Sequence, residues 1–158
     1  YRFTNDVLTP STPPRPVNPY GYSKAATERD CAALQAGTGI DAIALRIGWC
    51  QPGENRPGPH MSFGRWGQQM WLSNDDWCQV AVAACTVPFH GFAVLNAMSR
   101  NKGMRWDLSE TTRVLGYEPT GHHVPTLNWR RRVDDMAARV RARWVRPVAD
   151  ALTIGARW

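Results

Sequence analysis

The sequence holds no apolar run approaching the ~20 residues of a membrane-spanning helix, which excludes an integral membrane protein of that kind. No charged stretch followed by an apolar one opens the chain, so a signal peptide is not expected. Internal repeats and low-complexity tracts are absent, which excludes solenoids and fibrous arrays. Cysteine is scarce: Cys31, Cys50, Cys78 and Cys85 include no CxxC pair and none stands at a zinc-like interval from a histidine. Each lies among apolar neighbours, so most are expected to be buried thiols of an intracellular protein rather than a disulfide set.

What is present is a chain of 158 residues, 43% hydrophobic, enough for a packed core and too apolar for a disordered protein. It opens on Tyr1-Arg2-Phe3 rather than on Met, which suggests processing or a piece of something longer. The net charge of +6 is unevenly placed. Residues 1–127 carry 11 basic and 10 acidic side chains, whereas residues 128–158 carry 8 Arg and 3 Asp. The basic character therefore belongs to the C-terminal segment, and the pI of 9.6 does not by itself argue for nucleic acid.

Five prolines between Pro10 and Pro19 make residues 4–19 a loop. The alanine-rich stretch 20–36 reads as a helix stopped by Gly37 and Gly39. Ile40 to Ile47 reads as a buried parallel strand ending at Gly48. Residues 51–70, rich in Gly and Pro, read as a long loop of the functional or disordered kind. Ser73 caps a helix to about Thr86, with Asp76 closing a capping box and Trp77, Val80, Ala81, Ala84 and Cys85 inward. A second strand at Phe92–Asn96 and a helix from Ser109, its cap, to Leu115 follow. Trp129, Val133, Met136, Val140 and Trp144 share one helical face that is expected to pack on the body, with the arginines in solvent on the others. A partner, membrane-surface or nucleic-acid role is the alternative for this segment. This alternation argues for an α/β fold with a parallel sheet. Two strands do not complete such a sheet, and the rest is expected on the N-terminal side.

The stretch Tyr20-Gly21-Tyr22-Ser23-Lys24 carries chemistry. Tyr20 and Lys24 stand at i and i+4, one above the other on a helix. A phenol is a poor base at neutral pH, since it titrates near ~10, and a neighbouring ammonium stabilises the phenolate. The pair is thus a candidate acid/base couple. Tyr22, two residues from Lys24, lies on another face. A bare YxxxK spacing is common by chance, and its setting at the start of a helix between a Pro-rich loop and a strand raises its weight. His122-His123 invites a metal reading, but no further ligand lies at helpful spacing, so loop histidines are expected and no metal. The eight tryptophans are expected in core and loop packing.

Tyr20-Gly21-Tyr22-Ser23-Lys24 with Glu28, then Leu45-Arg46-Ile47-Gly48, then Trp71-Leu72-Ser73-Asn74-Asp75-Asp76, resembles an extended short-chain dehydrogenase/reductase of the NAD-dependent epimerase/dehydratase family. Trp106-Asp107 and Leu115-Gly116-Tyr117-Glu118-Pro119 make it most similar to the uronate dehydrogenase-like branch. The resemblance covers roughly residues 1–125. It implies NAD or NADP as cofactor and the oxidation of a sugar hydroxyl, with a hexuronate as the leading substrate. Tyr20 would be the catalytic acid/base. Lys24 would stabilise its phenolate and bind the nicotinamide ribose. Ile47, Gly48 and Cys50 would border the nicotinamide at the carboxyl end of a strand, where such sheets bind ligands. Arg65, and after it Arg56, would meet the substrate carboxylate from the 51–70 loop.

The chain departs from the family in one respect. No GxGxxG or GxxGxxG follows a strand anywhere. The family's catalytic Ser or Thr would lie just before Tyr1. The expectation is the C-terminal portion of a Rossmann-like doubly wound sheet (residues 1–127) without its glycine-rich half, followed by an Arg-rich helical segment (128–158). Its substrate would be a sugar acid or, in the epimerase and dehydratase alternative, a nucleotide sugar. A non-catalytic binding module acting through the basic helix is the other alternative. A homodimer is left open, nucleic acid is disfavoured and a cytoplasmic location is expected.

Overall fold

The computed structural model describes residues 1–2, 4–130 and 132–141. Its elements run in the order α1 (Pro19–Thr38), β1 (Ala42–Ile47), α2 (Arg65–Gln69), α3 (Asn74–Thr86), β2 (Phe92–Ala97) and α4 (Ser109–Leu115). Residues 129–130 and 132–141 are helical as well. The fold is α/β with a parallel sheet, as the alternation of patterns implied. β1 pairs with β2 in register from Ala42 opposite Phe92 to Ile47 opposite Ala97. Expected as a buried strand from Ile40, β1 starts at Ala42 and is only half-buried, with Ile47 exposed, because α1, which buries none of its own residues, covers it only in part. Past the end of β1, Trp49 makes an isolated parallel bridge to Trp71, in the segment before α3.

The core sits around β2. Val80 of α3, Leu95 and Ala97 of β2, Leu115 of α4 and Tyr117 form its buried centre, with Ile43 and Leu45 of β1 packed against it. The Tyr117 hydroxyl donates to the Met98 carbonyl at 2.9 Å, which satisfies the one polar atom of that ring. Burial pushes this phenol well above its ordinary pKa. Asp76 is buried at the start of α3. It accepts from the Ser99 hydroxyl at 2.5 Å and from the Thr120 N–H at 2.8 Å, and the Gly121 N–H donates to it as well. These bonds tie α3 to the chain after β2 and after α4.

The N-terminal segment is held to the far end of β2. Leu8 bridges to Trp106 and is buried. The Asn96 amide donates to the Leu8 carbonyl at 2.9 Å, and Arg105 donates to the carbonyls of Tyr1 (2.7 Å), Thr4 and Asp6 (3.1 Å). The Arg105 guanidinium also stacks over Trp66 at 4.7 Å, and burial lowers its pKa.

Several expectations need correction. Ser73 caps α3, but Asp76 does not close a capping box: its carboxylate is committed to Ser99, Thr120 and Gly121, and the Ser73 N–H goes to Ser99 Oγ at 2.8 Å instead. Leu108, not Ser109, caps α4, because the Asp107 carboxylate reaches the Ser109 N–H at 2.9 Å and serves that end. On α3, Val80 is buried and Ala81 and Ala84 are half-buried, whereas Trp77 and Cys85 are exposed. The cysteines are not buried thiols. All four are free, Cys31 half-buried and Cys50, Cys78 and Cys85 exposed, because they fall on outward turns beside the apolar residues that do pack. The 51–70 stretch is ordered around Asn55, buried at φ 51°, whose side chain accepts from Gln51 N–H (2.5 Å) and Trp71 Nε1 (3.0 Å) and donates to the Leu72 carbonyl (2.8 Å). It also contains α2.

The apolar face of the C-terminal helical stretch does not pack on the body. Trp129, Val133, Met136 and Val140 are exposed, and the buried position is Asp135, beside half-buried Ala138. Trp144 lies outside the described residues.

Candidate active site

The first turns of α1 are built to present Tyr20 and Lys24. Asn18 is extended, and its side-chain carbonyl accepts from the Gly21 N–H at 2.8 Å. Pro19 opens the helix with its φ already set. Gly21 lets the Pro-rich loop close on the helix, since a Cβ there would meet Pro16 Cβ at 3.2 Å and Asn18 Oδ1 at 3.3 Å. Tyr20 and Lys24 then stand one turn apart, with Lys24 Nζ 5.5 Å from the centre of the Tyr20 ring. Tyr20 is 71% exposed.

Both residues line a cleft of about 580 Å³ between α1, the Pro14–Pro16 loop and β1. Ile47 borders it at the carboxyl end of β1. Sequence reasoning missed the pair that holds this cleft in shape. Arg46 of β1 makes a two-pronged bond to Glu28 of α1, at 2.9 Å from Nε and 2.7 Å from Nη2. Its third nitrogen donates to the Pro10 and Thr12 carbonyls at 3.0 and 3.1 Å. One guanidinium thus joins helix, strand and loop on the wall of the cleft. The signal was present: a lone cation inside an apolar strand needs a carboxylate, and Glu28 follows Lys24 by one helical turn.

The other expected residues are placed differently. Gly48 continues β1, and its missing side chain serves packing, since a Cβ would stand 2.3 Å from the Met70 carbonyl and 3.1 Å from Leu72 Cβ. Cys50 is exposed beyond it. Neither is among the residues lining the cleft. Arg65 opens α2 and is exposed. Arg56 pairs with Glu54 at 2.6 Å on the surface. The cleft therefore unites Tyr20, Lys24 and Ile47 but not Gly48, Cys50, Arg65 or Arg56.

Its donors and wall suit the nicotinamide–ribose end of a dinucleotide: a phenol, an ammonium and an aliphatic side chain at a strand's carboxyl end. Among the described residues no group of three His, Cys, Asp or Glu stands together as a metal site. His123 instead shares Gln68 Oε1 with the Thr126 N–H, each at 2.9 Å. Burial, and to a lesser degree the neighbouring His122, lower its pKa.

Comparison with known proteins bears on this arrangement. Residues 4–52, which contain Tyr20, Lys24, Glu28 and Arg46, match the model of the NAD dependent epimerase/dehydratase family. The chain is 32% identical over 115 residues to the L-arabinose 1-dehydrogenase (NAD(P)(+)) of Haloferax volcanii, covering 69% of this chain and 44% of that protein. It is 30% identical to the uronate dehydrogenase of Pseudomonas syringae pv. tomato, covering 73% and 38%. In structure it is similar to the uronate dehydrogenase of Agrobacterium tumefaciens, with a TM-score of 0.62 and 28% identity over 74% of this chain and 41% of that one. A tyrosine-to-alanine mutant of that enzyme complexed with NAD is similar to the same degree, with 27% identity. The chain spans less than half the length of each of these relatives.

Proposed function

We propose that the chain is a member of the NAD-dependent epimerase/dehydratase family, on its uronate dehydrogenase-like side, and that it supplies the proton-transfer part of an NAD(P)-dependent sugar dehydrogenase. The observation that carries this reading is the placement of Tyr20 and Lys24 on one helical face, over a cleft bounded by the carboxyl end of β1. A bound nicotinamide would accept hydride. This chain's own part is proton handling and positioning. Tyr20 Oη takes the proton of the substrate hydroxyl as that carbon is oxidised. The Lys24 ammonium, one turn along the same face, would hold the ribose hydroxyls. Ile47 forms an apolar wall, and the Arg46–Glu28 clamp fixes the angle of α1 against β1.

We take the substrate to be a sugar acid, which the uronate dehydrogenases among the relatives support. Arg65 is retained as the partner of its carboxylate, since the side chain is exposed and free to reorient, while Arg56 is engaged by Glu54. The phosphate-binding loop is not within these 158 residues. On this reading catalysis needs a glycine-rich strand–turn–helix half beside this chain.

The test is to join the chain to the N-terminal portion of the Agrobacterium uronate dehydrogenase and follow NAD(P) reduction with hexuronates, neutral aldoses, glucose 6-phosphate and nucleotide sugars. Turnover with a hexuronate above the others supports the reading. A soluble, cofactor-binding fusion that reduces NAD(P) with none of them, or with nucleotide sugars alone, overturns it.

A further inference from the structure

The helical residues 129–130 and 132–141 sit on the body by one side only. Asp135 is buried there, ion-paired with Arg139 at 3.0 Å and with Arg2 at 3.8 Å, and Ala138 is half-buried beside it. Trp129, Val133, Met136 and Val140 are between 52% and 71% exposed. Their spacings of four, three and four at 3.6 residues per turn make a single stripe, on the side of the helix away from Asp135 and Ala138. The same geometry sets Arg132 and Arg139 along one flank of the stripe and Arg130 and Arg141 along the other. All four arginines are exposed, and the Arg130 guanidinium lies 5.2 Å from the Trp129 ring.

This arrangement fits a flat, apolar surface edged by anions. Trp129, Val133, Met136 and Val140 would enter below the headgroups, with Arg130 and Arg141 meeting phosphates on one flank and, on the other, the exposed parts of Arg132 and Arg139, which also donate to the Leu127 carbonyl and to Asp135. Charge is complementary to that surface and to little else on the chain, since residues 128–158 carry 8 Arg against 3 Asp while the remainder is near balance. A duplex would fit less well, because the stripe would hold its backbone away from both arginine rows. We propose that this helix is a peripheral contact for an anionic phospholipid surface, docking the protein without spanning the bilayer. The inference is independent of the dehydrogenase reading.

The experiment is co-sedimentation of the full chain with vesicles of phosphatidylcholine alone and of phosphatidylcholine with phosphatidylglycerol. Binding to the anionic vesicles, weak on the neutral ones and falling with salt, is expected. Replacing Val133→Asp together with Val140→Asp should weaken it tenfold or more, and each of Arg130→Glu and Arg141→Glu about fivefold or more. These positions are exposed, and an unchanged circular dichroism spectrum would show that the fold is kept. Absence of anionic-vesicle binding, or binding that survives the double stripe variant, overturns the proposal. So does tighter binding to duplex DNA than to the vesicles. A lipid-free dimer abolished by the stripe variant would assign the face to self-association instead.

Discussion

Helices α1 and α3 flank the same sheet and are held to it in opposite ways. α3 buries Val80 in the apolar core and Asp76 in a hydrogen-bonded pocket. α1 is longer, 20 residues against 13, and buries none of them. Its contact with the sheet runs through half-buried small residues and the Glu28–Arg46 clamp. The stable part of the molecule is thus the part around β2, and the residues with chemistry stand on the helix that apolar burial holds least.

The stronger hold on α3 rests most heavily on Asp76. Asp76→Ala leaves the Ser99 hydroxyl and the Thr120 and Gly121 amides without their acceptor, and should cost about 4 kcal/mol in urea unfolding. Leu95→Ala in the centre of β2 should cost about 3 kcal/mol by the same measurement. At the other helix, Arg46→Met should leave α3 nearly unchanged and speed amide hydrogen exchange in α1 about tenfold, the loss expected of a clamp worth ~1.4 kcal/mol. A uniform rise across both helices would mean that α1 and the core are one cooperative unit. The pH dependence of stability sharpens the picture at His123. Its pKa is depressed by folding, so the stability it contributes is present above its unfolded pKa, near ~6.5, and is lost as pH falls through the lower folded value. The urea midpoint should fall on acidification through that range, and fall less in His123→Gln. The smallest effect belongs to Leu34→Ser on the outer face of α1, which should stay within ~0.5 kcal/mol of the parent.

Much of the fold was legible because backbone signals are local. Gly39 ends α1, although the helix begins one residue early at Pro19 and runs through Gly37, and Ser73 starts α3 as its chemistry implied. The short β1 and β2 were legible as apolar runs after helices. Burial was not, because it depends on which side of each helix meets the body. Trp129, Val133, Met136 and Val140 have the spacing of a core-facing stripe, yet Asp135 points inward because Arg2 and Arg139 neutralise it there. For the site, the Tyr20–Lys24 spacing was readable from five residues of sequence. The Arg46–Glu28 clamp joins positions 18 residues apart and needed the fold. The crowding of Gly48 by Met70 and Leu72 likewise needed the fold.

The central claim is that Tyr20 performs the proton transfer. It is tested by Tyr20→Phe in the chain joined to a glycine-rich cofactor-binding half, measuring kcat for hexuronate oxidation beside the Kd for NAD. A fall in kcat of about 10²–10⁴-fold with cofactor affinity little changed is expected. Turnover undiminished by the loss of that single hydroxyl would contradict it.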